Sequence, residues 1–274
     1  MNNYSCCICL CAYNSEVGLP RVLKNVKTIS NLFKRIKVLF FYDHCLDKTL
    51  LIIQDFLKDN PGIGDIYINP NKKTNSRTEN IAIARNGLLQ RIKNVYIDYE
   101  YFMMIDTNHY SCVGDINTSV VEEVFSQDNI YKWDAVSFDR EAGYYDHFAL
   151  SFGNFTYSFL HFEDSEKAVE KLREEFSLLL DDYKKNKPDE FMPVYSAFNG
   201  FAIYKTANFI DCSYSSMIDL SLFDKELVDN QINLTGCKLI RFFERDCEHR
   251  HFHFESIKKN KSKIMIYPKY VFRK

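Results

Sequence analysis

The chain predicts an α/β fold with a central, mostly parallel sheet flanked by helices. Three observations lead there. Apolar runs at residues 4–13, 36–42 and 101–106 each stop abruptly at polar residues, as strands buried on both faces do. Between them lie stretches of helical period. The two kinds of segment alternate through the first hundred residues, which implies parallel strands joined by right-handed crossovers.

Tyr4 to Tyr13 closes on Asn14-Ser15 and reads as a first buried strand. Leu19, Val22, Val26, Ile29 and Phe33 then recur at helical spacing, with Pro20 near the helix start, where proline is tolerated. Ile36 to Tyr42 is a second strand ending at Asp43. Asp47 reads as the cap of the next helix. Asp65 to Asn69 is a short third strand. Ser76 and Glu79 have capping-box spacing and open a helix whose Ile81, Ala84, Leu88 and Ile92 face inward. The run from Tyr101 to Ile105 then delivers Asp106. Later, Ala135 to Phe138, Phe198 to Tyr204 and Lys263 to Tyr267 read as strands. Ser165 to Lys185 is an amphipathic helix with Val169, Leu172, Phe176, Leu179 and Tyr183 as its apolar stripe. A polar linker, Lys184 to Glu190, follows it.

With 274 residues, 46% of them hydrophobic, the chain can build a sizeable core. A net charge of -2 argues against a general nucleic-acid binder. The nine cysteines are odd in number and irregular in spacing, so a disulfide framework is not expected. Cys7, Cys9 and Cys11 would share one strand face as small hydrophobes. No stretch reaches transmembrane length, and the N-terminal residues lack a signal peptide's basic and apolar regions. A cytoplasmic protein is the expectation.

Chemistry concentrates at strand ends, where open α/β sheets bind ligands. Asp106 and Asn108 are oxygen ligands at i and i+2, a spacing suited to a hard divalent ion carrying a diphosphate. Asn108 stands where a second carboxylate would hold metal more tightly. Asp43 can accept hydrogen bonds from ribose hydroxyls or base nitrogens. Arg77 and Arg85 lie eight residues apart on one helix, with Asn86 beside them, and arginine forks bind phosphate oxygens. Arg85 follows Ile-Ala-Ile-Ala, so its stem is expected to be buried, with a phosphate or a carboxylate such as Asp106 as partner. In Cys247-Glu-His-Arg-His-Phe-His253, an extended backbone would point His249, His251 and His253 one way, and Glu248 and Arg250 the other. Either His249 or His251 could complete a site begun at Asp106. Mixed oxygen and imidazole ligands suit manganese better than calcium. Tyr144-Tyr145-Asp146 offers a carboxylate and aromatic rings to a sugar. Asn199-Gly200 is a place for close backbone approach.

In this order, Arg77-Thr-Glu-Asn-Ile-Ala-Ile-Ala-Arg85-Asn86, Phe102-Met-Met-Ile-Asp106-Thr-Asn108, Trp133-Asp-Ala-Val-Ser-Phe138, Tyr144-Tyr-Asp146, Ser196-Ala-Phe-Asn-Gly-Phe-Ala-Ile-Tyr204 and Asp246-Cys-Glu-His249 resemble the nucleotide-sugar glycosyltransferases of GT-A fold. More narrowly, the set resembles the cryptococcal α-1,3-mannosyltransferase and capsule-associated protein group and related transferases of large DNA viruses. The resemblance implies one GT-A, Rossmann-like domain over residues 1–274. Residues 1–110 would form its nucleotide-binding half, and residues 111–274 an acceptor-side half with a helical insertion at 164–187. It implies a UDP- or GDP-sugar donor, Mn2+ or Mg2+, and a glycan or glycoprotein acceptor. By this resemblance Asn14, Asp43, Arg77, Arg85, Asn86 and Asp106 face the donor. Asp106, Asn108 and His249 or His251 face the metal; Tyr145, Asn199 and Gly200 face the acceptor; Asp146 and Glu248 are candidate bases. A nucleotide-sugar-binding protein without activity is the alternative. A nucleotidyltransferase would need a glycine-rich loop after the first strand, and Ala12-Tyr-Asn-Ser-Glu16 has none.

Overall fold

The structure is a computed structural model that describes residues 3–217, 219–240 and 245–274; Met1 and Asn2, part of the N-terminal stretch read above for a signal peptide, lie outside them. The chain runs β1 (Ser5–Ala12), α1 (Leu19–Ser30), β2 (Arg35–Tyr42), α2 (Thr49–Asp59), β3 (Gly64–Ile68), α3 (Arg77–Val95), β4 (Tyr101–Asp106), β5 (Asp115–Ile116), α4 (Thr118–Val124), β6 (Ala135–Asp139), α5 (Ser165–Asn186), β7 (Met192–Val194), β8 (Phe201–Lys205), α6 (Thr206–Phe209), α7 (Lys225–Thr235), α8 (Glu248–Asn260), β9 (Ile264–Tyr270) and β10 (Phe272–Arg273).

The main sheet has the order β3-β2-β1-β4-β8-β6-β9-β7. β3, β2, β1, β4, β6 and β9 run the same way, with β8 and β7 against them. The chain moves outward from β1 to β3 and then returns through α3 to β4 on the other side of β1. That reversal makes the carboxyl ends of β1 and β4 a topological switch point, where such sheets open a crevice.

β1 is the middle of the core. Cys6, Ile8, Leu10 and Ala12 pack on one face with Leu19, Val22 and Val26 of α1. Cys7 and Cys9 pack on the other with Leu88 and Ile92 of α3, and Cys11 lies against that cluster. The alternation follows from the period of two along a strand, and all nine cysteines are free. The Ser76 hydroxyl accepts the Glu79 N–H at 3.3 Å and caps α3, as its spacing predicts. Asp47 is not the cap of α2: Lys48 takes that position, and Asp47, one residue earlier, accepts the Thr49 N–H at 3.0 Å.

α5 forms where its apolar stripe places it, burying Leu172, Phe176 and Leu180. It extends one residue beyond the expected Lys185, so the helix consumes the start of the supposed linker. Lys184 reaches the fully buried Asp139 at the end of β6 with an ion pair of 2.5 Å. The late strand expected at Phe198 begins only at Phe201, because Asn199 and Gly200 both take positive φ, 54° and 86°. Residues 248–253 are not extended. They open α8, and the run His249, Phe252, His253, Ser256 is its buried face. No described helix is long and apolar enough to cross a membrane.

Replacing Ile8, which is 0% exposed, with alanine should remove about 2–5 kcal/mol of stability. A urea melt with an unchanged midpoint would show that β1 is not the centre of the core.

Candidate functional site

A cavity of about 550 Å³ opens at the carboxyl ends of β1, β2 and β4. Cys11 and Tyr13 come from β1 and its loop, Asp43 from just past the end of β2, Arg77 and Arg85 from α3, Asp106 from the end of β4 and Asn108 from the loop after it, and Glu248 and His249 from the first turn of α8. Four elements distant in sequence therefore deliver charge to one crevice.

At its floor the Arg85 guanidinium, 5% exposed, is held on three sides. One terminal nitrogen contacts Glu248 Oε1 and His249 Nε2; the other donates to Asp106 Oδ1 at 3.2 Å. Its charge carbon also lies 4.6 Å from the centre of the Phe198 ring. Burial alone would lower the Arg85 pKa, but Glu248 and then Asp106 more than reverse it, so the net direction is upward. Burial pushes the Glu248 carboxyl up, opposed by Arg85. His249 is pushed well down by burial and then by the Arg85 charge, so it is a neutral imidazole. Because a guanidinium can only donate, His249 Nε2 must carry the lone pair. The proton then sits on Nδ1, which is buried with no hydrogen-bond partner.

Asp106 is held from behind as well. Its Oδ2 accepts from the Ser111 hydroxyl at 3.1 Å and from the Tyr145 hydroxyl at 3.0 Å. Its backbone N–H donates to Gly200 O at 2.9 Å. The Asn199 side chain accepts the Tyr145 N–H at 3.1 Å and donates to Phe138 O at 2.9 Å. Tyr145 thus lines the cavity while bracing Asp106, and Asn199 and Gly200 sit behind it rather than on the cavity wall. Gly200 is required twice over. Its φ is left-handed, and a Cβ there would stand 2.8 Å from Ser111 Cβ and 3.0 Å from the Tyr145 hydroxyl.

The other expected residues divide. Asp43 is buried, accepts from the Asn69 amide at 3.0 Å and lies 4.0 Å from Lys73 Nζ. Arg77 is exposed on the cavity wall. Asn14 lies outside the cavity, its side chain accepting the Leu46 N–H at 2.9 Å and joining two loops. Asn86 is paired twice with the Tyr214 backbone, at 2.7 and 2.8 Å, away from the cavity. Asn108 lines the cavity, but its side-chain oxygen accepts the N–H groups of Tyr110 and Ser111 at 3.1 and 2.8 Å. His251 is turned away by the helix and sits 3.8 Å from Glu255. His253 is core, bonded to Ser196 Oγ at 2.9 Å and the Tyr204 hydroxyl at 3.1 Å, with its pKa pushed by burial to about 3. Asp146 lines the cavity and accepts the Ala149 N–H at 3.2 Å. Burial first, then the Asp106 and Glu248 charges, raise its pKa to about 7.

Whether these residues suit a divalent ion turns on Asp106 and His249. Among the described residues no cluster of three or more His, Cys, Asp or Glu side chains could hold a metal. Asp106 Oδ1 and His249 Nε2 are nevertheless two donors of the right chemistry, both engaged by Arg85, which would have to give way for an ion to bind. An ion bound mainly by a substrate's phosphates and by water needs only one or two protein ligands. Asn108 and His251 are not arranged to add to them.

No family model matches the chain, and no curated protein does. Its layout is similar to solved glycosyltransferase structures. S. aureus TarS 1–349 is 14% identical, with a TM-score of 0.47 over 96% of this chain and 57% of that one; TarS 1–349 has also been solved with UDP-GlcNAc. The mannosyltransferase PcManGT of Pyrobaculum calidifontis, in complex with GDP-Man and Mn2+, is 9% identical, with a TM-score of 0.45 over 78% of this chain and 48% of that one. Glucosyl-3-phosphoglycerate synthase of Mycobacterium tuberculosis, solved with Mn2+, UDP and phosphoglyceric acid, is 8% identical, with a TM-score of 0.40 over 75% and 57%. The chain thus spans about half the length of these proteins, from 48% to 57%. Likenesses of this order carry no inference about its chemistry, which has to come from the cavity itself.

Gly200→Ala should fold less stably and displace Ser111 and Tyr145 from Asp106. A thermal melt and a nucleotide titration check this; an unchanged melt and unchanged binding would mean that the turn has slack.

Proposed function

We propose that the chain is a glycosyltransferase that moves a hexose from a UDP- or GDP-sugar to a hydroxyl group of a glycan or glycoprotein. One observation carries this reading: a buried arginine, a braced aspartate and a neutral histidine from three separate elements converge in a cavity at the sheet's switch point. The ordered motifs support grouping the chain with the cryptococcal and large-virus transferases named above, and its free cysteines favour a cytoplasmic site of action.

Charge argues for a cation in the reaction. Asp43, Asp106, Asp146 and Glu248 line the cavity against Lys73, Arg77 and Arg85. Four carboxylates facing three fixed cations leave no surplus of positive charge for a diphosphate. Asp106 and His249 would hold Mn2+ or Mg2+, which when bound supplies positive charge to the departing diphosphate. Arg77, exposed on the cavity wall, is placed to meet phosphate oxygens, and Lys73 lines the same cavity between Asp43 and the Tyr13 ring. Asp43 is placed to accept from the nucleoside. The donor's bond from C1 to phosphate breaks as the acceptor oxygen bonds to C1, and Asp146 takes the hydroxyl proton. Glu248 is the weaker candidate for base because Arg85 already occupies it. Cys11 does not compete as a nucleophile, since burial pushes its thiol up to about 12.

Asp106→Ala should reduce transfer by a factor of about 100 or more, with circular dichroism unchanged; full activity would refute the assignment. A general base works ionised. Asp146, with its pKa raised to about 7, should therefore give a rate that climbs as pH rises through about 7 and then levels. Asp146→Asn should remove that limb along with most of the rate. A rate independent of pH between 5.5 and 8.5 would count against Asp146.

A further inference from the structure

The geometry points to Arg140 as a positioning residue that fixes the Asp106 carboxylate through Ser111 and Tyr145. Arg140 follows β6 and is 8% exposed. Its side chain donates to Gly143 O at 2.6 Å, Tyr110 O at 2.5 Å and Ser111 O at 2.8 Å. The same guanidinium lies over the Tyr145 ring, its central carbon 4.2 Å from the ring centre. Among the described residues, no carboxylate forms an ion pair with it. Spending a buried charge on carbonyl oxygens and an aromatic face is costly, and the structure shows what it secures. The Ser111 and Tyr145 hydroxyls lie 3.1 and 3.0 Å from Asp106 Oδ2 and 2.8 Å from each other, so they form one hydroxyl cluster around the carboxylate. One side chain therefore sets both groups that orient the carboxylate, leaving Oδ1 directed at Arg85 and the cavity.

Lysine cannot reproduce the arrangement. It has no planar fork to bridge successive carbonyls and no flat face to lie on a ring. Groups that orient a ligand-binding carboxylate typically contribute 10- to 100-fold to affinity or activity.

This inference rests on the glycosyltransferase reading, and its test separates the two. UDP and GDP, each with Mn2+, are titrated by calorimetry into wild type, Arg140→Lys, Tyr145→Phe and the double variant, with thermal melts as folding controls. Arg140→Lys and Tyr145→Phe should each weaken the nucleotide that binds by about tenfold or more. The double variant should lose much less than the product of the two, because both act through Asp106. Wild-type affinity in Arg140→Lys, or losses that multiply fully, overturns the role of Arg140 alone. If Arg140→Lys does not fold, Tyr145→Phe and Ser111→Ala carry the test, since each removes one hydroxyl; unchanged affinity in both overturns it. Failure of the wild type to bind either nucleotide overturns the clamp together with the reading beneath it.

Discussion

The structure depends on one buried cation. Arg85 lies at the meeting of α3, β4 and α8, and its charge is the common partner of Asp106 and Glu248, residues 142 positions apart in the chain. A buried guanidinium is tolerable only when such partners replace its water, and removing one partner of a buried pair commonly costs about 3–5 kcal/mol. The same contact that ties the first turn of α8 to the sheet also gives the cavity its charge pattern. Arg85 further decides the state of His249, because its N–H groups demand a lone pair from the imidazole. Stability and site chemistry therefore share a single interaction.

Backbone placement explains why the charges can converge. β4 ends at Asp106 in register with Cys11 of β1, so both residues open onto the same crevice. Beyond it, Thr107 locks the loop by donating to Cys11 O at 2.8 Å, and its hydroxyl meets that of Ser15 at 2.7 Å. Gly18 allows the start of α1 to approach this loop, since a Cβ there would lie 2.5 Å from Thr107 O. The β1–α1 and β4 loops are thereby fixed to each other, and the cavity is held by rigid strand ends rather than by free loops, as ligand geometry of this precision requires.

Much of this was legible in the residues. Buried runs and helical periods locate β1, β2, β4, α1, α3 and α5, because each buries an unambiguous face. Asp106, Asp43 and Arg85 stood where strands stop or a helix turns inward, and the cavity collects all three. The run from Glu248 to His253 was misread. Alternating His and Phe imitates a strand, whereas the signals for a helix, the His249-Phe252-His253-Ser256 spacing and the Glu255–Lys259 pair, lie mostly downstream. Arg140 and Ser111 carried no local signal at all. Their importance comes largely from contacts across 29 to 34 residues of chain, which only the fold brings together. Arg250 is similar: it is fully buried and donates to the carbonyls of Phe148, Leu150 and Thr156, organising the loop that carries Asp146 from about a hundred positions away.

The central claim is that the cavity takes a nucleotide diphosphate sugar. Calorimetric titration with a panel of UDP- and GDP-hexoses, with and without Mn2+, tests it most directly. Saturable binding of sugars of one nucleotide, tighter when Mn2+ is present and lost in Asp106→Ala, is the predicted result. Binding of neither nucleotide class under either condition, by a protein that melts cooperatively, would contradict it.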